Sequence, residues 1–141
     1  MDIRQNQAAE LMPFLEAVFQ QQDNLHFANE VPQANEKTIA LGAWDQGKLI
    51  GAVIGKRQYD TLHISLLGVD LDKQVSGIGS ALMQAMEVQA VQEKIHTITL
   101  TTKAYQALGF YLKQGYHVFG EIADVPMVGT TKYYLAKKIR S

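Results

Sequence analysis

Two glycines separated by one residue form the segment of this sequence best suited to chemistry, because they can hold a phosphate group. Gly77 and Gly79 follow an apolar run at residues 62–69 and precede a pattern typical of a helix. Glycine has no Cβ, so the backbone can approach a ligand closely, and the N–H groups at a helix N-terminus attract an anion. The segment predicts an anion site with Ser76 as the helix N-cap. A tight strand-to-helix turn without a ligand is the alternative.

Two other phosphate motifs do not match the segment. The dinucleotide fingerprint requires a small residue three positions after the second glycine, where Leu82 stands. The P-loop requires a Gly-Lys-Ser/Thr triplet, whereas Lys73 precedes the glycines. The helix after the glycines is predicted from one apolar stripe, which consists of Ile78, Ala81, Leu82, Ala85 and Met86.

A second motif lies downstream of the glycine segment, and the two motifs form one pattern when they are read together. Residues 74–79 read Gln-x-x-Gly-x-Gly, and residues 107–116 read Ala-x-x-Phe-Tyr-x-Lys-x-Gly-Tyr. Together they resemble the GNAT superfamily of N-acetyltransferases, including small bacterial members, in motif detail over residues 40–120. The resemblance implies an enzyme that moves an acetyl group from acetyl-CoA (coenzyme A) directly to a primary amine. A non-catalytic module of the same fold that binds acyl-CoA, with a regulatory or interaction role, is the alternative.

The resemblance also implies roles for individual residues. The backbone N–H of Leu67 would polarise the acetyl carbonyl, and the backbone of Val69 would bind the pantetheine amides. Gly68 suits a β-bulge or a close backbone approach, with a packing glycine as the alternative. Tyr111 would donate a proton to the departing thiolate, although its spacing alone is typical of a core residue. The pyrophosphate would be bound by the N–H groups of a cradle made of Gln74, Val75, Ser76, Gly77, Ile78, Gly79 and Ser80.

The residue that removes the proton of the amine is left open by the sequence. The candidates are His63, Glu30, Glu121 and Asp124. By resemblance, residues 20–37 and 123–131 would shape the acceptor pocket. Both segments carry acidic residues, which favours a cationic acceptor, with a solvated charged surface as the alternative: Asp23, Glu30, Glu36 and Asp124. The histidines lack ligand spacing, so no metal is expected.

Composition predicts one compact domain, residues 1–141. The chain has 47% hydrophobic residues, enough for its own core. A net charge of −1 provides no general field for nucleic acid or an anionic membrane. There is no cysteine, signal-peptide pattern or long apolar run, so the expected location is the cytoplasm. The resemblance makes a homodimer possible.

The expected fold class is α/β, mixed α+β. Strands are predicted before the cradle helix, between this helix and the next one, and after that one. The patterns predict helices at residues 8–22 and 104–112, the second ended by Gly115. The predicted strands are residues 38–44, 48–58, 62–69, 97–101, 116–122 and 131–139. The strands around the cradle helix should be parallel. The resemblance implies a single GNAT-type domain with a central, twisted, mixed antiparallel and parallel sheet of about six to seven strands flanked by helices.

Overall fold

The structure is a computed structural model that describes residues 1–27, 35–73, 77–103 and 105–140, without the side chain of Gln106. The ligand-binding and base roles predicted for Glu30, Gln74, Val75 and Ser76, and the predicted helix start at Ala104, fall outside the described part. The chain forms two compact units, Met1–Gln33 and Ala34–Ser141. None of the described helices is both long and apolar enough to span a membrane.

The first unit contains one helix, α1, which covers Ala8–Phe27. It continues past the predicted end at residue 22 because the polar residues that follow include no glycine or proline that would stop it. Pro13 lies inside α1 rather than in its first turn.

The second unit is a six-stranded mixed sheet with two helices. In chain order its elements are β1 (Lys37–Asp45), β2 (Lys48–Gln58), β3 (Thr61–Val69), a short 3-10 turn (Leu71–Lys73), α2 (Ile78–Gln92), β4 (Thr97–Thr102), α3 (Tyr105–Lys113), β5 (His117–Ala123) and β6 (Thr131–Lys138). The strand order is β1-β2-β3-β4-β6-β5, and of these neighbours only β3 and β4 are parallel. The predicted mixed α/β fold is therefore confirmed.

The core lies between one face of the sheet and the helices α2 and α3. The buried residues of α2 are Leu82, Met83, Met86 and Ala90. The predicted stripe was partly wrong, because Ala81 and Ala85 are exposed. On α3, Tyr111 is buried, whereas the next residue, Leu112, is 48% exposed. The sheet contributes Ile39, Val53, Leu62, Ile64, Ile98, Leu100 and Leu135 to the core.

Helix α3 ends at Lys113, and Gly115 forms the left-handed stop that was predicted just after it. Gly115 has φ 93, and its N–H donates to the carbonyl of Leu112 at 3.1 Å. The N–H of Tyr116 donates to the carbonyl of Tyr111, also at 3.1 Å. This pair of bonds is a Schellman motif, which reverses the chain at a residue with a left-handed conformation. The reversal brings Tyr116 into the core next to Tyr111.

Candidate active site

The parallel strands β3 and β4 separate beyond the middle of β3. The last residues that pair across them are Ile64 and Leu100. Beyond this point β3 continues to Val69 beside β2, whereas β4 continues to Thr102 beside β6. A gap therefore opens between two neighbouring strands of the sheet, next to the residues whose backbone the resemblance assigns to the pantetheine amides.

A β-bulge lies where this gap begins. Residues 54–55 of β2 pair with Leu66 and Ile64, so Ser65 is the extra residue. Of the two roles predicted for Gly68, the bulge was wrong, because the position of a bulge follows from the register of two strands rather than from the presence of a glycine. The extra residue reverses the alternation of side chains and leaves Leu66 66% exposed.

The main-chain polar groups of Leu67 face the gap. The N–H of Asp70 donates to the carbonyl of Ile50 at 2.8 Å, so Asp70 bonds toward β2. Successive residues of a strand direct their backbone groups to alternate edges. Gly68 therefore also faces β2, while Leu67 and Val69 lie on the edge toward the gap. The N–H of Leu67 is thus a backbone donor at this edge.

The described part of the cradle is the N-terminus of α2. Gly77 is the N-cap, with φ 82 and no side-chain cap bond, and its carbonyl accepts the N–H of Ala81 at 3.0 Å. The prediction of Ser76 as N-cap was wrong, because glycine adopts this left-handed conformation without strain and caps the helix one residue later. As first-turn residues, Ile78 and Gly79 have no intrahelical acceptor for their N–H groups. These N–H groups can bind an anion.

The glycines of the site differ in what surrounds them. A Cβ on Gly79 would lie 3.3 Å from the Phe110 ring, so this glycine lets α2 pack closely against α3. No protein atom in the described part of the chain lies within 4 Å of a Cβ built on Gly77 or Gly68. Internal packing therefore does not require these two glycines, and the space beside them is open to a ligand.

Tyr111 lies on α3, on the same face of the sheet as the cradle helix. Its side chain is 9% exposed, and its ring meets that of Tyr116 edge to face with centroids 6.0 Å apart. Burial raises the pKa of Tyr111 above its ordinary value. The phenol therefore stays protonated at neutral pH and can act as a hydrogen-bond or proton donor.

Polar contacts that sequence patterns did not indicate connect α3 to the cradle helix. Gln114 Nε2 donates to Ser80 Oγ at 2.8 Å, in the first turn of α2. Lys137 Nζ donates to the carbonyl of Gln114 at 2.7 Å and forms an ion pair with Glu87 Oε1 at 2.5 Å, without the angles of a hydrogen bond. Because these partners come from α2, α3 and β6, no local pattern reveals them. They hold the helix of Tyr111 against the helix of the cradle.

The opposite face of the sheet carries His63 and Thr99. Ile64 and Leu100 point into the core, so their neighbours in each strand point to the other side. His63 Nδ1 lies 3.0 Å from Thr99 Oγ1. Partial burial, followed by the positive charge of Lys132, lowers the pKa of His63. The imidazole is therefore neutral at neutral pH and can accept a proton.

The other described candidates for the base lie on the β5–β6 hairpin. Asp124 has φ 61, and its Oδ1 accepts the N–H of Gly129 at 2.9 Å, which closes the loop between the strands. Glu121 is exposed on β5, which β4 and β6 separate from β3. The described residues contain no group of three or more His, Cys, Asp or Glu that could hold a metal ion.

Comparisons with known proteins agree with this geometry. A model of the acetyltransferase (GNAT) domain matches residues 2–132. The chain is 36% identical to a blasticidin-S acetyltransferase of Streptomyces morookaense over 104 residues, which are 72% of this chain and 74% of that protein.

Solved structures show the same fold over nearly the full length. An acetyltransferase from Bacillus cereus ATCC 14579 has a TM-score of 0.83 and 27% identity, with 98% of this chain and 97% of that chain covered. An aminoglycoside 6'-N-acetyltransferase complexed with coenzyme A has a TM-score of 0.70 at 20% identity, with 100% of this chain and 97% of that chain covered, which shows likeness of fold. The strand gap, the glycine cradle and these matches together identify the chain as an acetyltransferase that belongs to the GNAT family.

Proposed function

We propose that residues 1–141 form one N-acetyltransferase domain that moves the acetyl group of acetyl-CoA directly to a primary amine. The observation that carries the proposal is the gap between β3 and β4, with the N–H of Leu67 at its edge and the helix that begins after Gly77 beyond it. The family match over residues 2–132 and the relative named as an acetyltransferase support it. Since the sequence contains no cysteine, no cysteine thiolate can carry the acetyl group as an intermediate, which favours direct transfer.

Acetyl-CoA, the donor substrate, would bind along the strand gap and the cradle. The amides of its pantetheine arm would pair with the backbone of residues 67–69 much as a further strand would. Its pyrophosphate would accept hydrogen bonds from the N–H groups of residues 74–80, where the helix dipole favours negative charge. The open space beside Gly68 and Gly77 supports this route for the donor.

Three groups would divide the chemistry between them. The neutral amine attacks the carbonyl carbon, and the N–H of Leu67 stabilises the negative charge that develops on the carbonyl oxygen. The C–N bond forms and the C–S bond breaks, and Tyr111 gives its proton to the departing thiolate. The surplus proton of the amine passes to His63, which releases it to solvent, and Tyr111 regains a proton from solvent. His63 is our choice of base because its imidazole is neutral and hydrogen-bonded to Thr99.

Transfer of the proton of Tyr111 to the thiolate is unfavourable in free energy, so it depends on how the protein positions the two groups. An unperturbed phenol and an unperturbed thiol differ by about 1.5 pKa units, which corresponds to about 2 kcal/mol. Burial raises the pKa of Tyr111, so the cost of complete transfer is larger than this. We therefore expect Tyr111 to hydrogen-bond to the sulfur first and to transfer its proton only as the C–S bond breaks.

The proposal is tested by incubating the protein with acetyl-CoA and a panel of primary amines while free thiol is followed. We expect thiol release that depends on both acetyl-CoA and an amine. Acetyl-CoA binding in calorimetry without amine-dependent thiol release from any amine would favour the non-catalytic module. Absence of acetyl-CoA binding would defeat both functions. Blasticidin S belongs in the panel because of the relative from Streptomyces morookaense.

Gly77→Ala is expected to weaken acetyl-CoA binding about 10-fold, because a left-handed alanine costs about 1–2 kcal/mol and relaxing it moves the first N–H groups of α2. Calorimetric titration with acetyl-CoA measures the change. Gly47→Ala is the matched control, since Gly47 has φ 77, an equally open Cβ position, and a place in the β1–β2 turn. Both variants should lose similar thermal stability. Unchanged acetyl-CoA affinity in Gly77→Ala would argue against the cradle.

A further inference from the structure

A half-buried lysine lies on the sheet face that carries His63. Leu135 of β6 is in the core, so Tyr134 and Lys132 point to the opposite face. Lys132 Nζ lies 5.5 Å from the centre of the Tyr134 ring. The Tyr134 ring in turn lies 6.2 Å from that of Phe119. These contacts hold the ammonium group over this face of the sheet.

Lys132 has no acidic partner within the described ranges 1–27, 35–73, 77–103 and 105–140. None of the ion pairs found there includes Lys132, and none includes Lys56, which pairs with His63 across β2 and β3. The other neighbour of His63 across the sheet is Thr99, which is uncharged. Within the described residues the ammonium group of Lys132 therefore has an aromatic neighbour but no fixed negative one, so it is available to an anionic group of a ligand.

We propose that the acceptor is an amine that also carries an anionic group, a carboxylate or a phosphate, and that Lys132 binds this group. The inference rests on the proposed function and narrows its acceptor to amines with an acidic substituent. Lys132 lies at the end of β6 that pairs with the last residues of β4, because Tyr133 pairs with Thr102. This is the end at which β4 and β3 have separated.

A bound anion would also assist the chemistry. When His63 accepts the proton of the amine it becomes a cation, and the like charge of Lys132 opposes this step. An anionic group beside Lys132 offsets that charge, whereas a neutral or doubly cationic acceptor leaves the opposition in place. An acceptor with an anionic group thereby favours the transfer of its own amine proton to His63.

Asp124, one of the acidic residues that favoured a cationic acceptor at the sequence level, does not oppose this inference. Its carboxylate is engaged by the N–H of Gly129 in the β5–β6 loop. An amine with an acidic substituent is zwitterionic in water, so it still presents a positive group before it is deprotonated.

Matched pairs of amines test the inference. The pairs are β-alanine with β-alaninamide, glycine with glycinamide, and O-phosphoethanolamine with ethanolamine, so carboxylate and phosphate are examined separately. Thiol release at saturating acetyl-CoA gives kcat/KM for each acceptor. This value is calculated on the concentration of the unprotonated amine, because the amino groups of the amides have lower pKa values than those of the acids. We expect the anionic member of at least one pair to be preferred about 10- to 100-fold.

Substitutions on β6 assign the preference to one residue. Lys132→Met should abolish the preference, and Lys132→Arg should retain most of it. Lys138→Met is the matched control, because Lys138 lies on the same strand and face but pairs with Thr97 at the far end of β4. Two results would overturn the inference and leave the proposed function standing. One is an equal kcat/KM for the members of every pair with and without the anionic group. The other is a preference for the anionic member that survives in Lys132→Met. No thiol release from any amine would overturn both.

Discussion

Replacing Tyr111 with phenylalanine is expected to lower kcat about 100-fold, with the KM for acetyl-CoA changed by less than about twofold. The ring that packs edge to face on Tyr116 remains, so the fold and the donor site should be unaffected. What is lost is the proton for the departing thiolate, an interaction made only in the transition state. Thiol release at saturating acetyl-CoA and amine measures the effect.

Tyr116→Phe is the matched control for this prediction. Tyr116 is 3% exposed and follows the same helix. Its Oη has no hydrogen-bond partner among the described residues, so removing it should leave kcat within about twofold and keep or raise thermal stability. Unchanged kcat in Tyr111→Phe would exclude the general-acid role. Equal losses in both variants would indicate a packing effect instead.

His63→Gln is expected to lower kcat/KM about 100-fold at pH 7 and to remove the acidic limb of its pH profile. Glutamine can still hydrogen-bond to Thr99 but cannot take up a proton in this pH range. In the unmodified enzyme the rate should rise with pH through the pKa of His63. Burial and the charge of Lys132 hold that pKa below the ordinary value of 6.5. Measuring kcat/KM from pH 5 to 9 tests this.

Two further variants control for the titration. His96 also contacts a threonine, with Nδ1 2.8 Å from Thr97 Oγ1, but it is exposed at the start of β4, so His96→Gln should keep the acidic limb. Lys132→Met removes the charge that, together with burial, lowers the pKa of His63, so its acidic limb should move to higher pH. Because kcat/KM is calculated on the concentration of unprotonated amine, the titration of the acceptor itself does not contribute to the acidic limb. An acidic limb that persists in His63→Gln would assign the base to another residue.

The strands and the order of the first four could be predicted because the signals for them are local, whereas the position of β6 between β4 and β5 was not predicted. The turn that ends in Gly47 and the parallel pair around α2 follow from turn chemistry and from the geometry of a crossover. Which residues of α2 face the core could not be predicted fully. Ala81 and Ala85 fit an apolar stripe as well as Met83 and Ala90 do, and only packing against the sheet selects the second pair.

The site could be predicted where one short segment contains its chemistry. Gly77 and Tyr111 stand out because glycines and aromatic residues recur at a characteristic spacing. The bulge at Ser65 and the contact of His63 with Thr99, which are 36 residues apart, depend on the register of three strands. Register is a property of the whole sheet, so no window of the sequence contains it.

The separation of β3 and β4 has a consequence for the order of events in the proposed reaction. A space between two strands can be entered from either face of a sheet. The cradle and Tyr111 lie on one face, and His63 and Lys132 lie on the other. In the proposed reaction the donor and the acceptor would therefore have separate entrances, so neither would block the arrival of the other. After transfer, the free thiol and the acetylated amine could leave in opposite directions.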